Sequence, residues 1–435
     1  MSVSLSESRT DRQAFASEST RTSRHAKGPK VLHIMPTMNP SYGGPCQGVR
    51  NLVPPMDRLG TTSEVVSFDP PENDFSPSDP FVTHCLGSGR GPWSYNRSYR
   101  PWLEANACNY DVLIIHGDWL YQSIATIRSL AKLRKHRPAV DLPKVYAMPH
   151  GMLDPWFQRD ASRRIKAIRN WIYWKVFEHR VIEESDGVLF TCHQELELAR
   201  IPFRPYRPKL EIDVGYGVPR PPAADEEKRQ AFLRHCPELD DRPYLLFLSR
   251  IDPKKGIDLL IRAYAAVSAE FPVDTRIPAL VIAGPDDSAY AREMKRLAGE
   301  LGLTKPSDHN RNHAAVQFTG MLKGDAKWGA FYGCDAFVLP SHQENFGIAV
   351  AEALACGAPV LISNQVNIFV EIQNAKAGLI FDDNFEGTCD SLRQWLSLTP
   401  AERTAYRTSA TACYQRYFSV DGAAKQFFEA IAGAT

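Results

Sequence analysis

The chain has 435 residues, 43% of them hydrophobic and 23% charged, with Lys+Arg 51 against Asp+Glu 50. At roughly 150 residues per domain this is room for two large domains or three ordinary ones, and the balance excludes disordered, collagen-like and coiled-coil chains. A formal net charge of +1 gives no global field toward nucleic acid, so no nucleic-acid partner is expected and any anion must be captured by local geometry.

In chain order, residues 1–28 are rich in Ser, Arg and Thr without an apolar segment and read as a flexible N-terminal tail. They are no secretory signal, and Glu7, Asp11 and Glu18 argue against a transit peptide. From Val31, short β-branched runs alternate with longer helical patterns, the arrangement that builds a parallel sheet covered by helices on both faces. Strands are expected at Val31 to Met35, Val65 to Phe68, Val112 to Ile115, Val145 to Met148 and Gly187 to Phe190. A second series follows at Tyr244 to Leu248, Leu280 to Ala283, Val316 to Phe318, Ala336 to Leu339, Pro359 to Ile362 and Gly378 to Phe381. Two series predict two α/β domains, at 29–219 and 220–400, joined by the proline-rich stretch Tyr216 to Pro222. Residues 401–435 read as a helical segment that ends the second domain or packs back on the first. Asp69 to Trp102, rich in Pro, Gly and aromatics, reads as an extended surface loop.

No apolar run approaches the roughly 18 residues a membrane-spanning helix needs. The nine scattered cysteines lack zinc-ligand spacing and read as reduced thiols, so a cytoplasmic location is expected. Residues 162–183 place Ile165, Ile168, Ile172 and Val176 on one helical face, with Trp171, Trp174 and several Arg and Lys around it. Two readings stay open there: a helix docked on the core, or a peripheral contact with the anionic inner face of the cell membrane. Trp93, Tyr95, Tyr99 and Trp102 likewise suit either loop anchoring or stacking on acceptor sugar rings.

Three segments carry chemistry. Asn39 to Pro45 follows the first strand, and Gly43 and Gly44 there permit close backbone approach to a ligand; the dinucleotide fingerprint G-x-G-x-x-G is absent. Ser249 to Gly256 follows the first strand of the second series, where open α/β sheets gather ligands, and offers Arg250 as a bidentate phosphate clamp and Lys255 as a mobile point charge. Pro340 to Pro359 runs strand, glycine turn, helix. Gly347 frees the backbone, and the first N–H groups of the helix attract an anion. Glu344 sits before that helix and Glu352 inside it, about 6 Å from its start at about 1.5 Å per residue, so both can face one ligand. Carboxylates beside a phosphate site suit sugar hydroxyls; favourable acids near a helix start are the plain alternative.

Taken together, the Gly43-Gly44 loop, the R-x4-K-G pattern ending at Gly256 and the E-x7-E pattern from Glu344 to Glu352 resemble the family 4 (group 1) retaining glycosyltransferases of the GT-B fold. The resemblance implies two Rossmann-like doubly wound domains facing a central cleft, with the acceptor on the first and a nucleotide-diphosphate sugar donor on the second. It implies that Arg250 and Lys255 neutralise the diphosphate, that Glu352 holds the ribose hydroxyls, and that Glu344 contacts the transferred sugar. Asn345, Phe346, Gly347 and Ile348 would line the donor site. His116 matches the family's histidine near the reacting sugar, with His150 as a further substrate contact. The acceptor is expected to be a glycan or lipid-linked hydroxyl in cell-surface polysaccharide or glycoconjugate synthesis. The basic pair makes a metal and any resident cofactor unnecessary, so Asp286-Asp287 and Asp382-Asp383 read as loop acids. A GT-B nucleotide-sugar epimerase and a non-catalytic sugar-nucleotide-binding protein are the rival readings. Pro54-Pro55, in the helical segment after Gly44, predict a kink or early stop.

Overall fold

Runs of Val, Ile and Leu that are buried on both faces pair as parallel strands, and this chain builds two such sheets. The computed structural model describes residues 28–73, 75, 79–138, 141–160, 163–239, 242–272, 275–304 and 315–433. The expected tail, apart from Gly28, lies outside the described residues. The first sheet contains β1 (Lys30–Met35), β2 (Thr62–Ser67), β3 (Val82–Cys85), β4 (Val112–His116), β5 (Lys144–Met148), β6 (Gly187–Phe190) and β7 (Glu211–Asp213), in the spatial order β3-β2-β1-β4-β5-β6-β7. The second contains β8 (Tyr244–Leu248), β9 (Ala279–Ala283), β10 (Val316–Gly320), β11 (Ala336–Leu339), β12 (Val360–Ser363) and β13 (Gly378–Phe381), in the order β10-β9-β8-β11-β12-β13. Every strand pair in both sheets is parallel. Strand order reverses between β1 and β4 and again between β8 and β11. A crevice opens at the carboxyl end of each such reversal. This is the GT-B architecture.

Five helices bear on the site: α1 (Gly44–Arg58), α2 (Arg164–Tyr173), α3 (Gly324–Gly333), α4 (Ile348–Ala355) and α5 (Val420–Ala432). The start of α1 follows β1, and α4 follows β11, so each helix begins at its sheet's reversal point. At the domain junction Val218 bonds both ways with the C-terminal segment, its N–H donating to Phe418 O at 2.9 Å and its O accepting from Val420 N–H at 3.1 Å. The last helix, α5, then packs on α1 of the first domain, where Arg58 meets Asp421 at 2.7 Å.

Several expectations need correction. The stretch Asp69 to Trp102 is not all loop: it contributes the edge strand β3, paired to β2 from Val82 to Cys85, and its last residues open a helix at Tyr99. Edge strand β7 also escaped the pattern, because the three residues Glu-Ile-Asp are too short a run for alternation to mark a strand. Helix α1 does not stop at Pro54-Pro55 but runs on to Arg58. The Leu59 N–H still reaches the carbonyls of Pro55 and Met56, and burial of Val53, Pro55 and Met56 holds the turn where two ladder bonds are missing. The helix near residue 170 is interrupted by a π-helical turn at Trp174–Glu178. The segment buries Ala167, Asn170, Tyr173 and Trp174, while Ile165, Ile168, Trp171, Ile172 and Val176 face solvent at 86%, 62%, 53%, 52% and 48% exposure. The core-docked reading of that apolar face is thereby overturned. Tyr99 is fully buried, which removes it from any acceptor surface.

Candidate active site

The two crevices face each other across a cleft of ≈ 420 Å³ lined from both domains. On the first domain the loop after β1 delivers Gly43 and Gly44 at the start of α1, and the loop after β5 delivers His150. On the second, the loop after β8 delivers Arg250, Lys254 and Lys255, and the loop after β11 delivers Glu344 through Ala349, with Glu352 one turn into α4. Gly44 lies opposite Ile348: a Cβ built on it would stand 3.8 Å from Ile348 Cδ1. Two helix N-termini therefore converge on the same space, and the first N–H groups of each have no intrahelical acceptor.

Two glycines make the loops fit. Gly256 has φ +62°, and a Cβ there would come 2.0 Å from the carbonyl oxygen of Pro340, so only glycine lets the basic loop press against the start of the Glu344 loop. Gly347 caps α4 from the left-handed region, with φ +75°.

Charge is organised in pairs. Lys255 is buried and its ammonium donates directly to Glu344. Burial alone would raise the Glu344 carboxyl, but the nearby Lys255, Lys254 and Arg250 outweigh it and hold it below the usual range. It stays ionised at neutral pH. Glu352 is held at 2.8 Å by Lys327 from α3, a partner that sequence reading missed because it lies 25 positions away on another helix. Lys254, also missed, stacks over the rings of Phe157 and Trp156 at 5.1 and 5.7 Å. Burial first, then the Lys255 and Arg250 charges, lowers its ammonium to about 8 against the opposing pull of Glu344.

A value near 8 makes a testable pH dependence. A base lowered in the free protein is cationic below its pKa and neutral above it, so any anion drawn by Lys254 is favoured below pH 8. With an anionic substrate, kcat/KM should fall as pH rises through about 8, and the fall should disappear in Lys254→Arg, whose charge persists; an identical pH limb in that variant would contradict the assignment.

The structure brings Gly43, Gly44, His150, Arg250, Lys255, Glu344, Asn345, Phe346, Gly347, Ile348 and Glu352 to one cleft. His116 is the exception, being absent from the cleft lining. It is 2% exposed and sits behind His150, whose Nε2 meets His116 Nδ1 at 2.8 Å. The ring that lines the cleft is His150: β5 ends at Met148, level with His116, and His150 lies two residues further on in the loop that follows. Tyr216 and Thr191 are further lining residues that no local pattern marks. The Tyr216 hydroxyl donates to Gly44 O at 2.9 Å, and its ring lies edge-on to Phe346 at 4.9 Å. Asn345 Nδ2 donates to Thr191 Oγ1 at 2.9 Å and Gln343 Nε2 to Asp154 Oδ2 at 3.0 Å, so the Glu344 loop is pinned across the domain boundary.

The acidic pairs lie apart from this cleft. Asp286 is ion-paired with Lys295 at 2.5 Å, and Asp383 meets His342 Nδ1 at 3.0 Å. Among the described residues no three His, Cys, Asp or Glu side chains converge as a metal cluster, and no helix is long and apolar enough to cross a membrane.

Residues 229–411 match the family model described as glycosyl transferases group 1. The D-inositol 3-phosphate glycosyltransferase of Salinispora arenicola is 28% identical over 213 residues, covering 47% of this chain and 45% of that protein. The protein of the same name from Rhodococcus jostii is 30% identical over 212 residues, covering 48% and 44%. The chain thus spans about half the length of the curated relatives it matches. Among solved structures, HepE of Anabaena in complex with UDP and glucose superposes with a TM-score of 0.68 at 16% identity, covering 93% of this chain and 100% of that one.

Proposed function

We propose that this chain, whose second domain carries the sequence pattern of group 1 glycosyltransferases on a GT-B fold, transfers a sugar from a nucleotide-diphosphate donor to a hydroxyl group with retention of anomeric configuration. The observation that carries the reading is the pairing within one cleft of a cationic loop, Arg250, Lys254 and Lys255, with two ionisable carboxylates, Glu344 and Glu352. Cations and helix N-termini take the diphosphate, and carboxylates take hydroxyls that donate to them. The donor then lies with its phosphates at Arg250 and Lys254, its ribose at Glu352 and its sugar between Glu344 and the first domain.

As the diphosphate departs, negative charge grows on it and positive charge on the sugar's anomeric carbon. Preformed cations on one side and the Glu344 carboxylate on the other stabilise both without rearrangement. Lys255 serves both ends, because its ammonium neutralises phosphate oxygen while fixing the Glu344 carboxylate. A donor phosphate oxygen on the same face takes the proton of the incoming hydroxyl, which keeps the configuration. The basic loop supplies the counter-charge, so the reaction needs no divalent cation; full activity in excess chelator is the expected result. The solved neighbour with UDP and glucose makes UDP-sugars the first donors to try. The test is the anomeric configuration of the product by NMR: retention is expected, and inversion would overturn the mechanism.

The acceptor in this reading is a glycan or lipid-linked hydroxyl at the cytoplasmic face of a membrane, used in building cell-surface polysaccharide. Its support is the outer face of α2 and of the π-helical turn that follows it. Five large apolar side chains there are exposed among Arg164, Lys166, Arg169, Lys175 and Arg180, and the one acid of residues 163–180, Glu178, is buried. Apolar side chains ringed by cations match an anionic bilayer surface. The purified protein should float with vesicles containing phosphatidylglycerol and not with phosphatidylcholine alone, and Ile168→Glu with Trp171→Glu should abolish flotation. Equal behaviour on both vesicles would contradict the membrane contact.

A further inference from the structure

Three histidines form one hydrogen-bonded column from the core to the cleft. His33 Nδ1 meets His116 Nε2 at 2.9 Å, and His116 Nδ1 meets His150 Nε2 at 2.8 Å, with the rings stacked at 5.2 and 5.1 Å between centroids. They come from β1, the end of β4 and the loop after β5, three neighbours in the sheet. His150 is held there with φ +53°, a conformation uncommon outside glycine. Burial lowers His33 and His150 to about 4 and His116 well below its ordinary value, so all three rings are neutral at pH 7.

A neutral imidazole has one N–H and one bare nitrogen. His116 uses both nitrogens within the column, so the three rings can be ordered in only two ways. In one, every ring carries its proton on Nδ1 and the column donates toward the cleft. In the other, every ring carries it on Nε2: His150 donates to His116, His116 donates to His33, and His150 Nδ1 is bare. The Nε2–H form is the more stable tautomer of an isolated histidine side chain, and the second order uses it three times.

We propose that His33 and His116 are positioning residues that fix the tautomer of His150, holding its one remaining nitrogen, Nδ1, as a hydrogen-bond acceptor for a hydroxyl group in the cleft. A bare nitrogen repels phosphate oxygen and accepts from a sugar hydroxyl. The column therefore sets the polarity of the cleft: anion at the Arg250 end, hydroxylated sugar at the His150 end. The ligand part of this inference rests on the proposed transferase function; the tautomer part does not.

The experiment is long-range ¹H–¹⁵N correlation of the full chain labelled with ¹⁵N-histidine, at pH 7.5, with no ligand present. His150 Nδ1 should resonate as an unprotonated nitrogen. A protonated Nδ1 would overturn the proposal in the wild-type protein itself, whether or not any donor binds. In His33→Leu the acceptor of His116 Nε2–H is gone, so the column reverses and His150 Nδ1 becomes an N–H. The KM for the nucleotide sugar should then rise about tenfold while the Kd of the nucleotide diphosphate stays within about twofold. His33→Asn, which returns an amide oxygen to the position of Nδ1, should restore both tautomer and KM. A folded His33→Leu protein with unchanged His150 tautomer and KM would refute the positioning role, and loss of donor and nucleotide binding together would instead count against the proposed function.

Discussion

Lys255→Ala should lower kcat by about 10²- to 10³-fold, the range seen when one preorganised group that stabilises transition-state charge is removed. Lys255 is buried and bonded to Glu344, so its ammonium lies at the junction between the phosphate side and the sugar side of the cleft. Its loss leaves the departing diphosphate with less counter-charge and leaves the Glu344 carboxylate without its fixed donor. The carboxylate is not abandoned, because Lys254 and Arg250 also act on it. The stability loss should accordingly stay below the about 3–5 kcal/mol typical of breaking an isolated buried pair. The protein should melt cooperatively at a modestly lower temperature with most activity gone. Lys255→Arg should recover little, since a planar guanidinium cannot occupy the space of a compact ammonium already in contact with Glu344. Turnover within threefold of wild type, roughly 0.65 kcal/mol of barrier, would remove Lys255 from the chemistry.

Glu352→Ala should act on binding rather than on turnover. A carboxylate accepting from a ribose hydroxyl contributes about 1.5–3 kcal/mol, so the Kd of the nucleotide should rise roughly 10- to 150-fold, with kcat at saturating donor changed far less. Lys327 separates the two roles Glu352 could have. If the carboxylate is only the partner of Lys327, then Lys327→Ala and Glu352→Ala should have equal effects. If Lys327 orients a carboxylate that itself binds the ligand, Lys327→Ala should weaken nucleotide binding by less than Glu352→Ala, and this is the expected result. The two titrations together check it, and equal Kd values for the two variants would return Glu352 to a structural role.

Much of this architecture is legible in the residues because it rests on local patterns. Val112 to Ile115 reads as a strand buried on both faces, and it is one. The turn at Gly256 and the strand-glycine-helix element around Gly347 carry their chemistry in sequence order, so Arg250, Lys255, Glu344 and Glu352 stand out before any fold is known. What was not legible depends on the sheet order. His33, His116 and His150 lie 83 and 34 positions apart, and only the adjacency of β1, β4 and β5 stacks them. The same order pushed His116 behind His150 and out of the cleft wall. Lys327 and Thr191 reach the site from neighbouring elements for the same reason. The outer face of α2 was ambiguous because a helical period shows which residues share a face, not which way the face turns; burial of Ala167, Asn170 and Tyr173 shows that it is they that dock on the domain.

Whether this cleft is a nucleotide-sugar site is decided by calorimetric titration of the full chain with UDP, GDP and ADP, repeated with Arg250→Ala and Glu352→Ala. Selective micromolar binding of one nucleotide diphosphate by the wild-type protein is expected, sharply weakened in both variants while each stays folded. A folded wild-type protein that binds none of the three, or one whose binding is untouched by both substitutions, would contradict the assignment.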